Sequence, residues 1–425
     1  MQIDSNTPNL HFGIESGVIR HPSSPKANKA NNRYNIVYCL GIESTAHTFG
    51  CGIVSDDSEI RHSGNRNRES RVANRESGRT KCPAPPDNGA PNNWKRCAHL
   101  ESRFSNLEVL SNESKMYKPI EGGIHPREAA NHHANFAGEI VSAALEKAGL
   151  KPRDLDLVAF SQGPGLGPCL RTGATSARAL AFSLGIPIIG VNHCIAHLEI
   201  GRATTGCKDP VMLYTSGANT QVIAFAEGKY RVFGETLDVG IGNALDKFGR
   251  DLGIPFPAGP AIEAMALKSK NYLPLPYCVK GMDVTFSGLM TAAFNLAEKN
   301  GIVLGTKPRQ HENSFLNALC YSLQETAFAA LVEVTERAMA HTEKSEVLLT
   351  GGVARNRRLC EMAKLMAEAR GAQMFVPPAP LCIDNGAMIA WTGIVMHKSG
   401  IRMKIKDTQI DQKFRTDDVN VRWRE

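Results

Sequence analysis

The chain has 425 residues, 42% of them hydrophobic, and carries 49 Lys and Arg against 42 Asp and Glu, a net charge of +7. That length exceeds what one small core organises, so two lobes are expected; the best apolar stretch, residues 179–191, is broken by Gly185 and Pro187, which excludes it as a membrane span. The charge is weak evidence for a nucleic-acid partner, because residues 58–106 hold ten basic against five acidic residues and the other 376 hold 39 against 37.

Residues 1–33 form a polar extension without the apolar segment of a signal peptide. The eleven cysteines are scattered and lack a C-x-x-C pair, which fits reduced thiols. A cytoplasmic protein is expected.

The first strand is expected over residues 34–42 and a second over 50–54, joined by Glu43-Ser44-Thr45-Ala46-His47-Thr48. The N–H groups and hydroxyls of that turn can face an anion. Residues 58–106, rich in Arg, Asn, Ser and Pro, read as a disordered insertion or as sequence foreign to the mature product, with an RNA-gripping basic arm as the alternative. A helix is expected from about Pro126 to Lys147, with His125, His132 and His133 on or beside its polar face. A strand over 155–160 then leads through the glycine-rich loop 161–168 into a helix over 172–183. A strand over 186–191 precedes a helix bearing His193 and His197.

A second lobe begins near Pro210, where residues 211–223 read as strand, glycine turn and strand and echo the first hairpin. Helices dominate from about 243 to 341, residues 347–356 read as strand, Gly-Gly turn and helix start, and a last strand spans 373–376. Asp384 then stands at the cap of a helix over 384–390.

Residues i and i+4 of a helix share a face, so His193 and His197 can hold one metal ion. By spacing alone two ordinary surface or core histidines remain the plain alternative. A zinc protease is disfavoured, since Cys194 stands where that pattern needs its glutamate. A metal that anchors a ligand is the better sharp reading, with Asp384 as a further ligand or simply a cap. Tyr214, before a glycine turn, reads as a packing residue unless the site recruits it. Asp246 and Glu263, beside glycine turns, read as solvated carboxylates or ribose ligands. The turns at Glu43–Thr45, Ser216–Thr220 and Gly351–Asn356 suggest a nucleotide in an interlobe cleft, and none is a Walker A loop or a G-x-G-x-x-G fingerprint.

Taken together, these segments resemble one family. They are Leu40-Gly41-Ile42-Glu43-Ser44-Thr45-Ala46-His47-Thr48 and the stretches 121–130, 161–171, 191–200, 214–222, 234–246, 283–289, 351–356 and 382–390. The family is the universal tRNA threonylcarbamoyladenosine transferases, the catalytic subunits of the KEOPS complex, once labelled O-sialoglycoprotein endopeptidases. The Asn192-His193-Cys194-Ile195-Ala196-His197 and His125-Pro126-Arg127-Glu128-Ala129-Ala130 forms are similar to its archaeal and eukaryotic branch.

The resemblance implies an α/β, actin-like and sugar-kinase-like fold with two ribonuclease H-like lobes around a nucleotide cleft. The implied boundaries are a first lobe over 34–208, a second over 209–380, a returning helix over 381–400 and a tail over 401–425. It implies one divalent metal ion held by His193, His197, Tyr214 and Asp384, iron(II) first, with zinc and magnesium as alternatives. It implies ligand contacts from Tyr214, Thr215, Ser216, Gly217, Ala218, Asp246, Gly259, Glu263 and Asn356. The implied substrates are threonylcarbamoyl-AMP and tRNA. The implied partners are the KEOPS subunits: a small kinase or ATPase, a dimerisation subunit and an accessory subunit. The chain departs from the family in its N-terminal extension, in the insertion at a hairpin tip and in Ala218, which replaces a glycine and whose methyl would crowd the ligand or resist a positive φ. A sugar or small-molecule kinase of the same fold and a nucleotide-binding scaffold subunit are the alternatives.

Overall fold

Strands β1 (Tyr38–Glu43), β2 (Thr48–Asp56) and β3 (Leu107–Met116) form an antiparallel meander, in a computed structural model that describes residues 36–56, 107–119, 123–305 and 313–424. The expected extension over 1–33 and insertion over 58–106 lie outside the described residues. Asp56 pairs with Leu107, so the segment between them joins the ends of neighbouring strands. Helix α1 (Pro126–Ala148) follows, with Pro126 in its first turn and Gly149 in the left-handed conformation at its end. Strand β4 (Leu157–Gly163) lies parallel to β1, helix α2 (Gly167–Leu184) crosses over, and β5 (Ile188–Asn192) completes the order β3-β2-β1-β4-β5.

Helix α3 (His193–Thr205) leaves β5 at once and leads into a second sheet. Strands β6 (Val211–Thr215), β7 (Thr220–Ala226) and β8 (Lys229–Glu235) again form an antiparallel meander. Helices α4 (Ile241–Asp251) and α5 (Gly259–Ala266), the short hairpin β9 (Val279–Lys280) and β10 (Asp283–Val284), and helices α6 (Ser287–Lys299) and α7 (Asn313–Thr342) come next. Strand β11 (Glu346–Thr350) then adds parallel to β6, helix α8 (Arg357–Ala369) crosses, and β12 (Gln373–Phe375) closes the order β8-β7-β6-β11-β12. Both sheets thus have the same order and sense: an antiparallel meander whose first strand carries two parallel neighbours. This is the duplicated ribonuclease H-like, actin-like architecture.

Two features differ from the sequence reading. Strand β8 was not foreseen, although the two-residue turn Glu227-Gly228, both at positive φ, is a hairpin signal. The expected helical run over 243–341 is interrupted by the β9–β10 hairpin, whose Gly281 takes a φ of +67° at the turn.

Each sheet is covered on both faces, which is why its inner strands are nearly continuous apolar runs. In the first sheet Leu40, Ile42, Val158 and Phe160 face α1 and α2, while Cys39, Leu157 and Ala159 face the opposite side. That opposite side is filled by α10 (Gly386–Lys398), which follows the short helix α9 (Ala379–Cys382). The approach is backbone to backbone: a Cβ at Gly52 would lie 2.3 Å from the Ala387 nitrogen, and one at Gly41 2.3 Å from the Ala390 nitrogen. Helix α3 is the wedge between lobes. Its Ala196 and Ile200 pack with Ile189 and Val191 of β5, while Cys194, Ile195 and Leu198 pack on Met212, Tyr214 and Leu348 of the second sheet. No described helix is long and apolar enough to cross a membrane.

Candidate metal and ligand site

The buried strand β5 ends at Asn192, whose side chain accepts from the N–H groups of Cys194 at 3.0 Å and Ile195 at 3.2 Å and so starts α3 abruptly. His193 is therefore the first residue of the helix and His197 lies one turn further along the same face. Their ring centroids are 4.9 Å apart. From the second lobe, Tyr214 at the end of β6 places its hydroxyl 2.9 Å from His193 Nε2. From the segment before α10, Asp384 Oδ1 lies 3.1 Å from His197 Nε2 and 3.4 Å from His193 Nε2. The candidate donor atoms of His193, His197 and Asp384 all fall within 4.8 Å of one another.

Asp384 does not cap its helix, as the sequence reading had allowed. The cap is Asn385, which accepts from the Met388 N–H at 2.9 Å. That leaves the Asp384 carboxylate, partly exposed, to face the histidines.

The electrostatics favour positive charge at this point. Burial works against a proton on His193, but Glu43, Tyr214 and Asp384 outweigh it and hold its imidazole well above the ordinary histidine range. Burial also pushes Asp384 up, yet His193 and His197 prevail and hold it well below the usual carboxylate range. His197 is driven down chiefly by burial. Tyr214, fully buried, is raised by burial. Among the described residues no Lys or Arg pairs with Asp384. Two imidazole nitrogens, a carboxylate and a phenol oxygen make a donor set suited to a hard or borderline dication, so the residues present fit a metal ion.

One buried acid here escaped the sequence reading in its role. Glu43, fully buried at the end of β1, places Oε2 2.9 Å from His193 Nδ1. The first half of the expected anion-facing turn after β1 is turned inward, with the buried Ser44 hydroxyl left without a partner among the described residues. Thr45 donates its N–H and its hydroxyl to Glu43 Oε1 at 2.6 and 2.5 Å, and the Ser44 N–H goes to Ser161 Oγ. An acid ending an apolar strand was the available signal, but its partner lies 150 residues away.

The turn after β6 differs. Ser216 closes it on Asn219 through backbone and hydroxyl, and Gly242 and Asn243 at the start of α4 donate to the Ser216 and Gly217 carbonyls. The N–H groups of Gly217 and Ala218 are left without an acceptor among the described residues, and both residues are exposed. Ala218 takes no positive φ, so its methyl imposes no backbone strain. Thr215 is buried and donates to the Thr350 carbonyl. Gly351, at a φ of +94°, lies so close that a Cβ would be 2.3 Å from the Thr215 carbonyl.

The remaining predicted ligand residues line up along α4, α5 and α8. Asp246 accepts from the Ala258 N–H beside Gly259 at 2.7 Å, and burial raises its carboxyl. Glu263 accepts from the Arg357 N–H at 2.9 Å. Asn356 is almost fully engaged: it caps α8 by accepting from Arg358 and Leu359 and donates to Gln324 at 2.9 Å. On α1, His133 is not on the polar face. It is fully buried, and its Nε2 lies 2.9 Å from the Ala46 carbonyl. His132 is half-buried and His125 is exposed.

Comparison with known proteins places these observations in a family. Residues 107–391 match the family described as tRNA N6-adenosine threonylcarbamoyltransferase. The protein of that name from Thermococcus kodakarensis is 51% identical over 384 residues, covering 90% of this chain and 99% of its own length. A protein of Methanosarcina mazei, named as a probable bifunctional tRNA threonylcarbamoyladenosine biosynthesis protein, is 57% identical over 319 residues, covering 74% of this chain. The match spans 56% of that relative's length, so this chain corresponds to little more than half of it. The crystal structure of T. kodakarensis HypF shares 14% identity and a TM-score of 0.49, over 62% of this chain and 43% of its own.

Proposed function

The chain belongs to the tRNA N6-adenosine threonylcarbamoyltransferase family, and we propose that it transfers the threonylcarbamoyl group of threonylcarbamoyl-AMP to N6 of the adenosine 3′ to the anticodon in tRNAs reading ANN codons. The observation that carries this is the convergence of His193, His197, Tyr214 and Asp384 between the lobes, beside a turn with unengaged N–H groups.

His193, His197, Tyr214 and Asp384 would hold a divalent ion, iron(II) with zinc or magnesium as alternatives, which would supply fixed positive charge beside the carbamoyl–phosphate anhydride. The Gly217 and Ala218 N–H groups offer donors to the anionic end of the ligand. Asp246 and Glu263 each accept a backbone N–H on one carboxylate oxygen and keep the other for ribose hydroxyls. In the reaction the N6 lone pair attacks the carbamoyl carbon. The carbon–oxygen bond to phosphate breaks, AMP leaves with the electron pair, and N6 gives up one proton. Burial of α3 and β6 keeps the metal-facing wall dry and its donors fixed.

The setting is the cytoplasm, in a KEOPS-type assembly with a small kinase or ATPase, a dimerisation subunit and an accessory subunit. The bifunctional name of the longer Methanosarcina relative supports a partner of this kind. The test is nucleoside mass spectrometry of tRNA from cells that lack their own enzyme and receive this protein with its partners. Threonylcarbamoyladenosine is expected with the unsubstituted protein and not with His197→Ala. Its absence in both overturns the proposal.

A further inference from the structure

The reading of His193, His197, Tyr214 and Asp384 as the holders of a dication leaves the buried Glu43 beside them without a role. We propose that Glu43 is a positioning residue of that centre, which fixes the His193 ring and tautomer so that Nε2 presents its lone pair to the ion. This inference rests on the metal reading of the preceding subsection.

The geometry assigns each atom a task. Glu43 Oε2 lies 2.9 Å from His193 Nδ1. A carboxylate only accepts, so Nδ1 carries the hydrogen in this contact. The opposite ring nitrogen, Nε2, is the atom that meets Tyr214 and Asp384. Glu43 is itself held, because Oε1 accepts from both the N–H and the hydroxyl of Thr45 at 2.6 and 2.5 Å. The next residue, Ala46, is pinned through its carbonyl to His133 of α1 at 2.9 Å. A chain of fixed groups thus runs from α1 through the β1 turn to the face of α3 that would bind the ion. An imidazole ligand whose other nitrogen donates to a carboxylate is a common metal-site device, and loss of that carboxylate costs about ten- to a hundredfold in metal affinity. The competing view makes Glu43 a buried acid that serves only the fold.

Glu43→Gln separates the two at constant volume. Its amide can accept from Nδ1–H only by turning its NH2 toward the Thr45 N–H, or it can donate to Nδ1 and force the hydrogen onto Nε2. Zinc(II) affinity of the protein, measured by competition with a chelator, is expected to fall about ten- to a hundredfold. The visible absorption of the cobalt(II)-loaded protein should change with it. Thr45→Val replaces with a methyl the hydroxyl that steadies Glu43 and that lies 3.5 Å from His193 Nδ1; it should weaken zinc binding several-fold, so it carries the test if Glu43→Gln does not fold. Wild-type affinity and an unchanged cobalt spectrum in the folded variants overturn the proposal while leaving the metal centre intact. Failure of the unsubstituted protein to bind zinc or cobalt overturns the metal reading, and this inference with it.

Discussion

His193 and His133 are both buried imidazoles, and their neighbours drive them in opposite directions. His193 faces Glu43, Asp384 and Tyr214, which outweigh burial and favour its charged form. His133 meets a carbonyl and the tilted ring of Phe49, so burial prevails and lowers its pKa from 6.5 to about 4. The sign of the consequence follows from linkage. Above pH 6.5 His133 is neutral in both the folded and the unfolded chain and costs nothing. As pH falls from 6.5 towards 4 the unfolded chain takes the proton first, so stability is lost across that window and the loss levels off below it. The full effect is about 3 kcal/mol. His133→Gln, which can still donate to the Ala46 carbonyl, should flatten the acid limb by about 2 kcal/mol between pH 7 and pH 4.5 in urea denaturation, most of the full effect. An acid limb as steep as in the unsubstituted protein would show that His133 is not its source. The same two residues mark what a sequence reveals at this scale. The His193–His197 pair is legible because helical spacing alone puts it on one face. His133 reads as polar because the partner that buries it, the turn at Ala46, lies 87 residues earlier.

At the scale of elements, the position of Asp384 depends on how α10 meets the first sheet. Gly41 and Gly52 of β1 and β2 lie against the helix backbone, and Gly386 lies against the sheet at the helix's first turn. A methyl at Gly52 would sit 2.3 Å from the Ala387 nitrogen, and backbone atoms cannot rotate away from it. Gly52→Ala is expected to destabilise the protein by about 3 kcal/mol or more, to move the start of α10, and to reduce metal content along with stability. Chemical denaturation and metal analysis of one preparation check both; a loss near zero would mean that the helix can lift off the sheet at little cost. The first hairpin of each lobe and the β-α-β crossovers were readable from apolar runs and glycine turns. The cap was not, because Asp384 and Asn385 are adjacent and either can cap a helix. Only the tertiary demand of two histidines decides which of them turns inward. Strand β8 shows the same limit: Tyr230 is buried under Glu199 and Arg424, contacts that local alternation does not reveal.

At the scale of the whole molecule, two lobes of one topology are tied together by α3 in the middle and by the last residues of the described chain around the outside. After α10 the chain returns across the first lobe, where Thr408 meets Arg178, the Asp411 N–H reaches the Gln162 carbonyl and the Phe414 carbonyl accepts from Asn192 at 3.1 Å. It then crosses to the second lobe, where Asp417 accepts from the Val232 N–H of β8 at 3.0 Å. It ends on α3 itself: the Trp423 indole donates to Glu199 Oε1 at 2.7 Å, an acid that also accepts from Tyr230 and Arg202. Glu199 is buried, so each donor lost leaves a charge less compensated. Trp423→Ala removes both an indole packed between the lobes and one of these donors, and should cost about 3 kcal/mol. Trp423→Phe restores most of the packing and only lacks the N–H, so it should cost about 1 to 2 kcal/mol. Because the strap touches both sheets and the wedge between them, urea unfolding should stay a single transition whose midpoint falls, with fluorescence and circular dichroism moving together. Two separated transitions in Trp423→Ala would instead show that α3 alone cannot hold the lobes as one unit. An unmoved midpoint would show that Trp423 contributes nothing to holding them together.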